Sequence, residues 1–278
     1  MTYTTLMVHL ELGQSNAALL KATADLAGKF QAGVIGIAAS QLTPMLFGDG
    51  YGYVSADVIE QFRDEAEEEI KAAEAEFRAA LQSRVDTLGW RADVTFDPLP
   101  DYIARQARCA DLVITGIGRD PSLLDSSRQL TTSDLVMRAG RPVLVVPATK
   151  ETLSVDRVVV GWKDTRETRR AIVDALPLLK KASNVAVIEI ADAAELPAAR
   201  ERVEDVAGWL TQHAIPAEAI AVGSTGGDAA QLDSILDERH ADLLVAGAYG
   251  HSRVREWVLG GVTRDLLLKA KRCAFVSH

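Results

Sequence analysis

The residues best suited to ligand chemistry lie near the end of the chain, in the stretch GAYGHSRVREWVLGGVT, residues 247–263. Glycines stand at both ends of a polar loop that directly follows the apolar run DLLVAG. Backbone can approach a phosphate closely where no Cβ intrudes, and exposed N–H groups then act as donors. A helix beginning near Thr263 would add a favourable terminus for an anion, although Thr263 could also be an ordinary N-cap or first-turn residue. By itself this spacing is a weak indication of a phosphate site.

The chain is an internal duplication, which allows the loop to be compared with its own counterpart. A shift of 131 residues places ADLVITGIG on ADLLVAGAYG, and SDLVMRAGRPVLVVP on RDLLLKAKRCAFVSH. The matched pairs are Gly116 with Gly247, Arg119 with Gly250, Gln129 with Gly260, Leu130 with Gly261 and Thr132 with Thr263. Turn geometry alone would require the glycines in both copies, so their loss favours a phosphate site in the second copy only. The alternative is that the two loops have different conformations.

Ten short apolar runs alternate with helical patterns and must form the elements that position this loop. They cover residues 5–11, 33–39, 92–96, 111–118 and 142–147, then 157–162, 184–190, 218–223, 242–250 and 273–278. The runs are continuously apolar rather than alternating, which is typical of parallel strands covered on both faces by crossover helices. The sequence therefore predicts an α/β protein with two copies of one βαβ-rich unit.

Near the start, LMVHLE at 6–11 matches VVVGWK at 158–163, a shift of 152 instead of 131. The difference of 21 is the number of extra residues in the first half. The insertion comprises the loop 41–55, which could cover either a pocket or an interface, and a long helix from about Ala56 to Leu88. Helical spacing along it is kept by Ile59, Phe62, Ala66, Ile70, Ala73, Phe77 and Leu81. We predict domains at 1–148 and 156–278, joined by the polar segment 147–156. Asp111 and Asp242 begin the fourth strands of both copies, which indicates a structural role.

The composition excludes several functional classes. A net charge of −9 argues against nucleic acid as a partner, because phosphate backbones require a basic surface. The N-terminus lacks the pattern of a signal peptide, and no run reaches the ~20 apolar residues of a membrane span. Cys109 and Cys273 are far apart, and neither Cys273 nor His240 has partners at metal-ligand spacing. We expect a cytoplasmic protein with reduced cysteines and no metal site.

The spacing Gly247-x2-Gly250-x9-Gly260 resembles the G-x2-G-x9-G-(S/T) signature of the universal stress protein family. The segment RVVVGWKDTRETRRAIVDALPLL also resembles that family's first strand and helix, and both halves end in its fifth-strand pattern. The resemblance spans essentially the whole chain, as a tandem member. It implies two Rossmann-like, adenine-nucleotide hydrolase-like domains, each an open five-stranded parallel sheet of order 3-2-1-4-5. It also suggests an internal pseudo-dimer of the two domains, and a homodimer of chains is a further option.

The resemblance implies that the second domain binds ATP or another adenine nucleotide, with magnesium as an optional companion. Phosphate contacts through the loop backbone are implied for Gly247, Gly250, Gly260, Gly261 and Val262. The base would pack near Ala246 and Ile190. His251, Ser252 and Thr263 are further candidates for ligand contact because they flank these glycines.

Two residues depart from the family pattern. Gly261 replaces the Ser or Thr after the last glycine, which removes a hydroxyl but keeps the backbone N–H. Lys163 stands where an aspartate would hold the ribose or base; a lysine can reach a phosphate but cannot accept a hydrogen bond. Asp164 could serve if the loop is shifted by one residue. In the first half the matching residue is Glu11, but the glycine loop there is lost.

We predict a stress-response protein that holds an adenine nucleotide or similar phosphate-bearing ligand in its second domain, with protein partners of unknown kind. The alternative is a nucleotide-free protein-interaction scaffold of the same fold, which Lys163 and Gly261 favour. A third option is a nucleotide-dependent enzyme of the wider hydrolase-like group. No residues combine a general base with a nucleophile, so we assign no catalytic residues and expect any ATP hydrolysis to be slow and incidental.

Overall fold

The structure is a computed structural model that describes residues 2–42, 56–117, 130–148, 153–248 and 272–278. The chain forms two compact units, Tyr3–Arg141 and Pro142–His278. All ten strands predicted from the apolar runs are present.

The first unit contains a parallel sheet of four strands. Its elements are β1 (Thr5–His9), α1 (Ala17–Phe30), β2 (Gly33–Gln41), α2 (Ala56–Leu81), β3 (Leu88–Thr95), α3 (Leu99–Gln106), β4 (Leu112–Gly116) and α4 (Thr132–Arg138). The strand order is β3-β2-β1-β4, with α1 packed against α2 and α3 packed against α4. A single 3-10 turn, Ala107–Cys109, follows α3.

Helix α2 ends at Leu81, seven residues before the end predicted from its apolar spacing. Residues from Leu88 onward belong to β3, where Leu88 pairs with Val34 of β2. Pairing with an existing strand outweighs a local helical pattern, because it satisfies the backbone and buries side chains together. Phe77 of α2 packs on Trp90 of β3, with ring centroids 5.4 Å apart.

The second unit contains a sheet of six strands. Its elements are β5 (Val143–Val146), β6 (Arg157–Gly161), α5 (Arg166–Leu179), β7 (Asn184–Ala191), α6 (Leu196–Gln212), β8 (Ala217–Gly223), α7 (Asp228–Glu238), β9 (Leu243–Gly247) and β10 (Cys273–Ser277). The strand order is β5-β10-β9-β6-β7-β8. Five of these strands are parallel and, counted from β6, follow the expected order 3-2-1-4-5.

Strand β5, which comes from the end of the first sequence copy, pairs antiparallel with β10. This pairing gives hydrogen-bond partners to the side of β10 that would otherwise be an exposed sheet edge. The α/β fold class expected from the sequence is therefore confirmed, with one antiparallel strand added to the parallel order of the second unit.

Aspartates at the starts of the fourth strands have a structural role in both units, as predicted. Asp111 accepts hydrogen bonds from the backbone N–H groups of Thr4 and Thr5 at 2.7 and 3.0 Å. Burial raises the pKa of Asp111, but these bonds and the Thr4 hydroxyl lower the pKa more, so the net shift is downward. Asp242 likewise accepts bonds from the Arg157 backbone and the Ser154 hydroxyl, both at 3.0 Å. Each carboxylate thus ties the start of one strand to the chain entering its neighbour.

Candidate functional site

The candidate site lies at the carboxyl ends of β6, β7 and β9 in the second unit, the edge at which open parallel sheets bind ligands. Five of the candidate residues are described, and they come from these strand ends and the turn after β6: Lys163, Asp164, Ile190, Ala246 and Gly247. The other seven lie outside the described residues: Gly250, His251, Ser252, Gly260, Gly261, Val262 and Thr263.

Ile190 and Ala246 share one face of the sheet. Both are partly buried against the apolar cluster that packs α7 onto the strands, whose members include Val159, Ile188 and Leu244. Gly161 lies between their strands, level with Ile188 on one side and Ala246 on the other. Because neither Gly161 nor Ala246 carries a long side chain, this part of the face is low and partly exposed. The two residues assigned to the base are thus brought to one apolar surface.

The same position in the first unit is filled. There, His9 matches Gly161 and Thr115 matches Ala246, and both side chains are buried. The His9 Nδ1 and Thr115 Oγ1 atoms are 3.2 Å apart, within hydrogen-bond distance. Burial lowers the pKa of His9 from its ordinary 6.5 to about 4, so the imidazole is neutral at pH 7. The first unit therefore has a closed polar pair where the second unit has a glycine and an alanine.

Gly247 lies on the opposite face and packs against the start of α5. A Cβ built on Gly247 would be 2.4 Å from the Thr168 backbone nitrogen and 2.6 Å from the Glu167 carbonyl carbon. At the matched Gly116 the nearest atom to a Cβ would be the Glu11 carboxylate oxygen, at 3.6 Å. The glycine at 247 is therefore needed for strand–helix packing, whatever it contributes to a ligand.

The first turn of α5 satisfies its own backbone donors with side chains. Thr165 is the N-cap, and its Oγ1 accepts a 3.3 Å hydrogen bond from the Thr168 N–H. Glu167 is buried and receives hydrogen bonds from the Arg166 guanidinium and from its own backbone N–H. Burial raises the pKa of Glu167, but these bonds and the Thr165 hydroxyl lower the pKa more, so the carboxylate is ionised. The Glu167 carboxylate thus occupies the N-terminus of α5. This helix end is therefore unsuited to binding a phosphate.

The two residues at the expected aspartate position differ in their partners. Lys163 is exposed, and no residue in the described part of the chain pairs with its ammonium group. Asp164 is also exposed and accepts a 2.5 Å hydrogen bond from Arg169. The ammonium group of Lys163 is consequently available to an anion, whereas Asp164 would first have to exchange its partner.

The cysteines and other polar groups form no recognisable metal centre among the described residues. Within those ranges no cluster of three or more His, Cys, Asp or Glu side chains could hold a metal ion. Cys109 is exposed and Cys273 is buried, and the two do not form a disulfide with each other. None of the described helices combines the length and apolar character needed to cross a membrane.

Several residues of the site carry weak or no signals in the sequence. The pair His9–Thr115 and its counterpart Gly161–Ala246 are visible in the overlay of the copies, but only the sheet register shows that each pair is adjacent. Glu167 reads as an ordinary acidic residue in the first turn of a helix, and its burial depends on the approach of β9.

The fold defined by these elements is a pair of Rossmann-like units built on open, mostly parallel sheets. A universal stress protein from Archaeoglobus fulgidus DSM 4304 is similar over 98% of this chain and 95% of its own, with a TM-score of 0.71 and 16% identity. A functionally unknown protein from Pseudomonas aeruginosa PAO1 is similar over 99% of this chain and 92% of its own, with a TM-score of 0.58 and 15% identity. The chain therefore has the fold of a tandem-length universal stress protein, as the resemblance implies.

A shorter match is a universal stress protein from Archaeoglobus fulgidus solved in complex with dAMP. It covers 52% of this chain and 98% of its own, with 20% identity and a TM-score of 0.32. That similarity is too low to support an inference about a ligand of this chain. Neither a protein-family model nor a curated protein matches the sequence.

Proposed function

We propose that this chain is a tandem universal stress protein, with copies at 1–148 and 156–278, whose second copy binds an adenine nucleotide or a similar phosphate-bearing ligand. The observation that carries the proposal is the contrast at one place in the two sheets. His9 and Thr115 fill it in the first unit, whereas Gly161 and Ala246 leave an apolar surface in the second. A flat base can lie beside Gly161 and Ala246 because neither residue carries a long side chain.

The groups around this surface suit a phosphate-bearing ligand. Ile190 adds an apolar side chain beside Gly161 and Ala246. Lys163 places an exposed ammonium group just after β6, at the end of the sheet. The sequence of the loop 247–263 supplies glycine backbone for the phosphates. Magnesium is part of the proposal only as the counter-ion that ATP phosphates commonly carry.

The proposed role in the stress response is binding or signalling rather than catalysis. Among the described residues of this edge, Glu167 is held by Arg166 and Asp164 by Arg169. The hydroxyl that contacts Glu167, that of Thr165, serves as the N-cap of α5. We therefore expect any ATP hydrolysis by the second copy to be slow and incidental.

A test of the proposal copies the first unit into the second. The variant Gly161→His/Ala246→Thr introduces the side chains found at the matched positions of the first unit. We expect calorimetry to detect ATP, ADP or AMP binding by the parent protein at millimolar concentrations and no binding by this variant. A Cβ at Gly161 would meet only ordinary contacts, the nearest at 3.5 Å, and thermal unfolding of the variant checks that the rest of the imidazole is accommodated.

The matched control is Thr115→Ala, which alters the equivalent strand position of the first unit and should leave nucleotide binding unchanged. Gly250→Arg, which copies Arg119 of the first half, should also abolish binding if the loop contributes. If the parent protein binds none of these nucleotides, the proposal fails and the scaffold role remains. Binding that is lost equally in the Thr115→Ala control would assign the ligand to the first unit instead.

A further inference from the structure

The indole N–H of Trp162, at the carboxyl end of β6, is an unused hydrogen-bond donor. Trp162 follows the last residue of β6 and is only 8% exposed. Its Nε1–H finds no acceptor among the described residues. An indole nitrogen can only donate, and buried donors are nearly always paired. An unpaired indole N–H at this place therefore needs an explanation.

The position of Trp162 follows from the register of the strands around it. Its backbone N–H donates to the Ile188 carbonyl at 2.7 Å, so the pairing of β6 with β7 continues past Gly161. Since Gly161 is level with Ile188 and Ala246, Trp162 is level with Glu189 and Gly247. It belongs to the sheet face that meets α5. Ligands of open parallel sheets bind beyond the carboxyl ends of the strands, and Trp162 is the first residue past the end of β6.

The carboxylates that the register and the sequence place around Trp162 are already engaged. The Glu189 carboxylate is buried and accepts bonds from Arg202, from Nη2 at 2.6 Å and from Nε at 3.1 Å. Glu167, beside Gly247, is held by Arg166. Asp164, two residues along the chain, accepts from Arg169. These carboxylates are paired with guanidinium groups, and none of them accepts a hydrogen bond from the indole N–H.

The first unit has no such donor at the matched position. Leu10 stands there and is fully buried. At this strand position an unpaired indole donor therefore occurs in the second unit and not in the first, whose own unpaired buried donor among the described residues is the Ser40 hydroxyl in β2.

We propose that Trp162 is a ligand-binding residue of the second unit, whose indole N–H donates to a ribose or phosphate oxygen of the bound nucleotide. The assignment rests on the proposed function. It gives the site a neutral donor next to Gly247, on the side of the strand ends opposite to Ile190 and Ala246. It also explains how a ligand could be oriented although Lys163 replaces the carboxylate of the family pattern.

The test follows the indole N–H resonance of Trp162 in protein labelled with nitrogen-15, during a titration with ATP and magnesium. Trp162→Phe assigns the resonance and removes the donor while keeping an aromatic ring. We expect the parent resonance to move downfield on ATP addition, and the variant to bind ATP about tenfold more weakly. Trp209→Phe is the matched control, since the Trp209 ring in α6 contacts the ring of His213 and should not affect binding.

The outcomes separate this assignment from the proposed function. If the parent protein binds ATP but its Trp162 resonance stays in place, or the Phe variant binds equally well, Trp162 is not a ligand contact and the function stands. A persistent contact of the indole proton with water in the ATP complex leads to the same conclusion. If the parent protein binds no adenine nucleotide, both proposals fall together. Should Trp162→Phe not fold, the parent resonance decides the matter, assigned through Phe variants of the other tryptophans.

Discussion

At the scale of single residues, the two copies differ most clearly where β1 or β6 meets the fourth strand of its unit. His9 and Thr115 form a buried polar pair in one copy, and Gly161 with Ala246 leaves the same place low in the other. A buried imidazole is tolerated because it stays neutral and has a hydrogen-bond partner. The same pair that closes the first unit should therefore make it sensitive to acid.

We predict that protonation of His9 destabilises the protein between pH 6.5 and pH 4. The pKa of His9 is lowered to about 4 in the folded state, so the unfolded chain binds a proton first as the pH falls. The loss of folding free energy should reach about 3 kcal/mol across this window and be absent above pH 6.5. Urea unfolding at a series of pH values measures it.

The variant for this prediction is His9→Asn, whose amide nitrogen can replace Nδ1 in the contact with Thr115. Whatever its stability at neutral pH, it should lose the acid dependence that His9 causes. His213→Gln serves as the control for changing a histidine elsewhere. An acid-induced loss that is equal in His9→Asn and the parent protein would show that other groups are responsible.

At the scale of secondary-structure elements, the contact between β9 and α5 determines the shape of the candidate site. The first turn of α5 comes so close to β9 that only glycine fits at 247. This contact buries Glu167 and places its carboxylate at the helix N-terminus, where a phosphate would otherwise be favoured. Phosphates are therefore expected toward the loop that follows β9 rather than on α5.

We predict that Gly247→Ala destabilises the second unit by about 3 kcal/mol, because the new Cβ would overlap the backbone of α5. The matched variant Gly116→Ala meets only the flexible Glu11 side chain and should change stability by less than about 1 kcal/mol. Thermal and urea unfolding of both variants provide the comparison. Equal effects in the two variants would contradict a packing role that is specific to Gly247.

The elements also show where local patterns mislead. The apolar spacing along α2 continues toward Leu88, but the helix ends at Leu81 because the following residues pair with β2 as β3. The need for glycine at position 36 also has a tertiary cause, since a Cβ there would be 2.6 Å from the Trp90 ring. Neither fact can be read from the residues nearby in sequence.

At the scale of the whole molecule, the duplication allows the same place to be compared in two units. His9 and Thr115 fill it in the first unit, and Gly161 and Ala246 leave it open in the second. The fold is that of the universal stress proteins, although sequence identity with the similar structures is only 15–16%. Function must therefore be tested in each unit separately.

We predict that ATP stabilises residues of the second unit only. At a ligand concentration of 100 times Kd, binding should add about 2.7 kcal/mol to stability. Hydrogen exchange followed by mass spectrometry should show slower exchange in peptides at the ends of β6, β7 and β9. Peptides of β1, β2 and β4 should be unchanged, and the Gly161→His/Ala246→Thr variant should show no effect. Protection that appears mainly in the first unit would contradict the assignment.

The sequence by itself determined the duplication, the ten strands and the α/β class, because continuously apolar runs and helical spacing are local and repeat in both copies. It also indicated that Ile190 and Ala246 belong to one site, through the resemblance carried by the glycine loop. Only the tertiary structure decided what surrounds them. The register of β6 between β7 and β9 brings Gly161 beside Ala246, presses Gly247 against α5, and leaves the Trp162 indole without an acceptor among the described residues. These are contacts between residues far apart in the chain, and no local pattern encodes them.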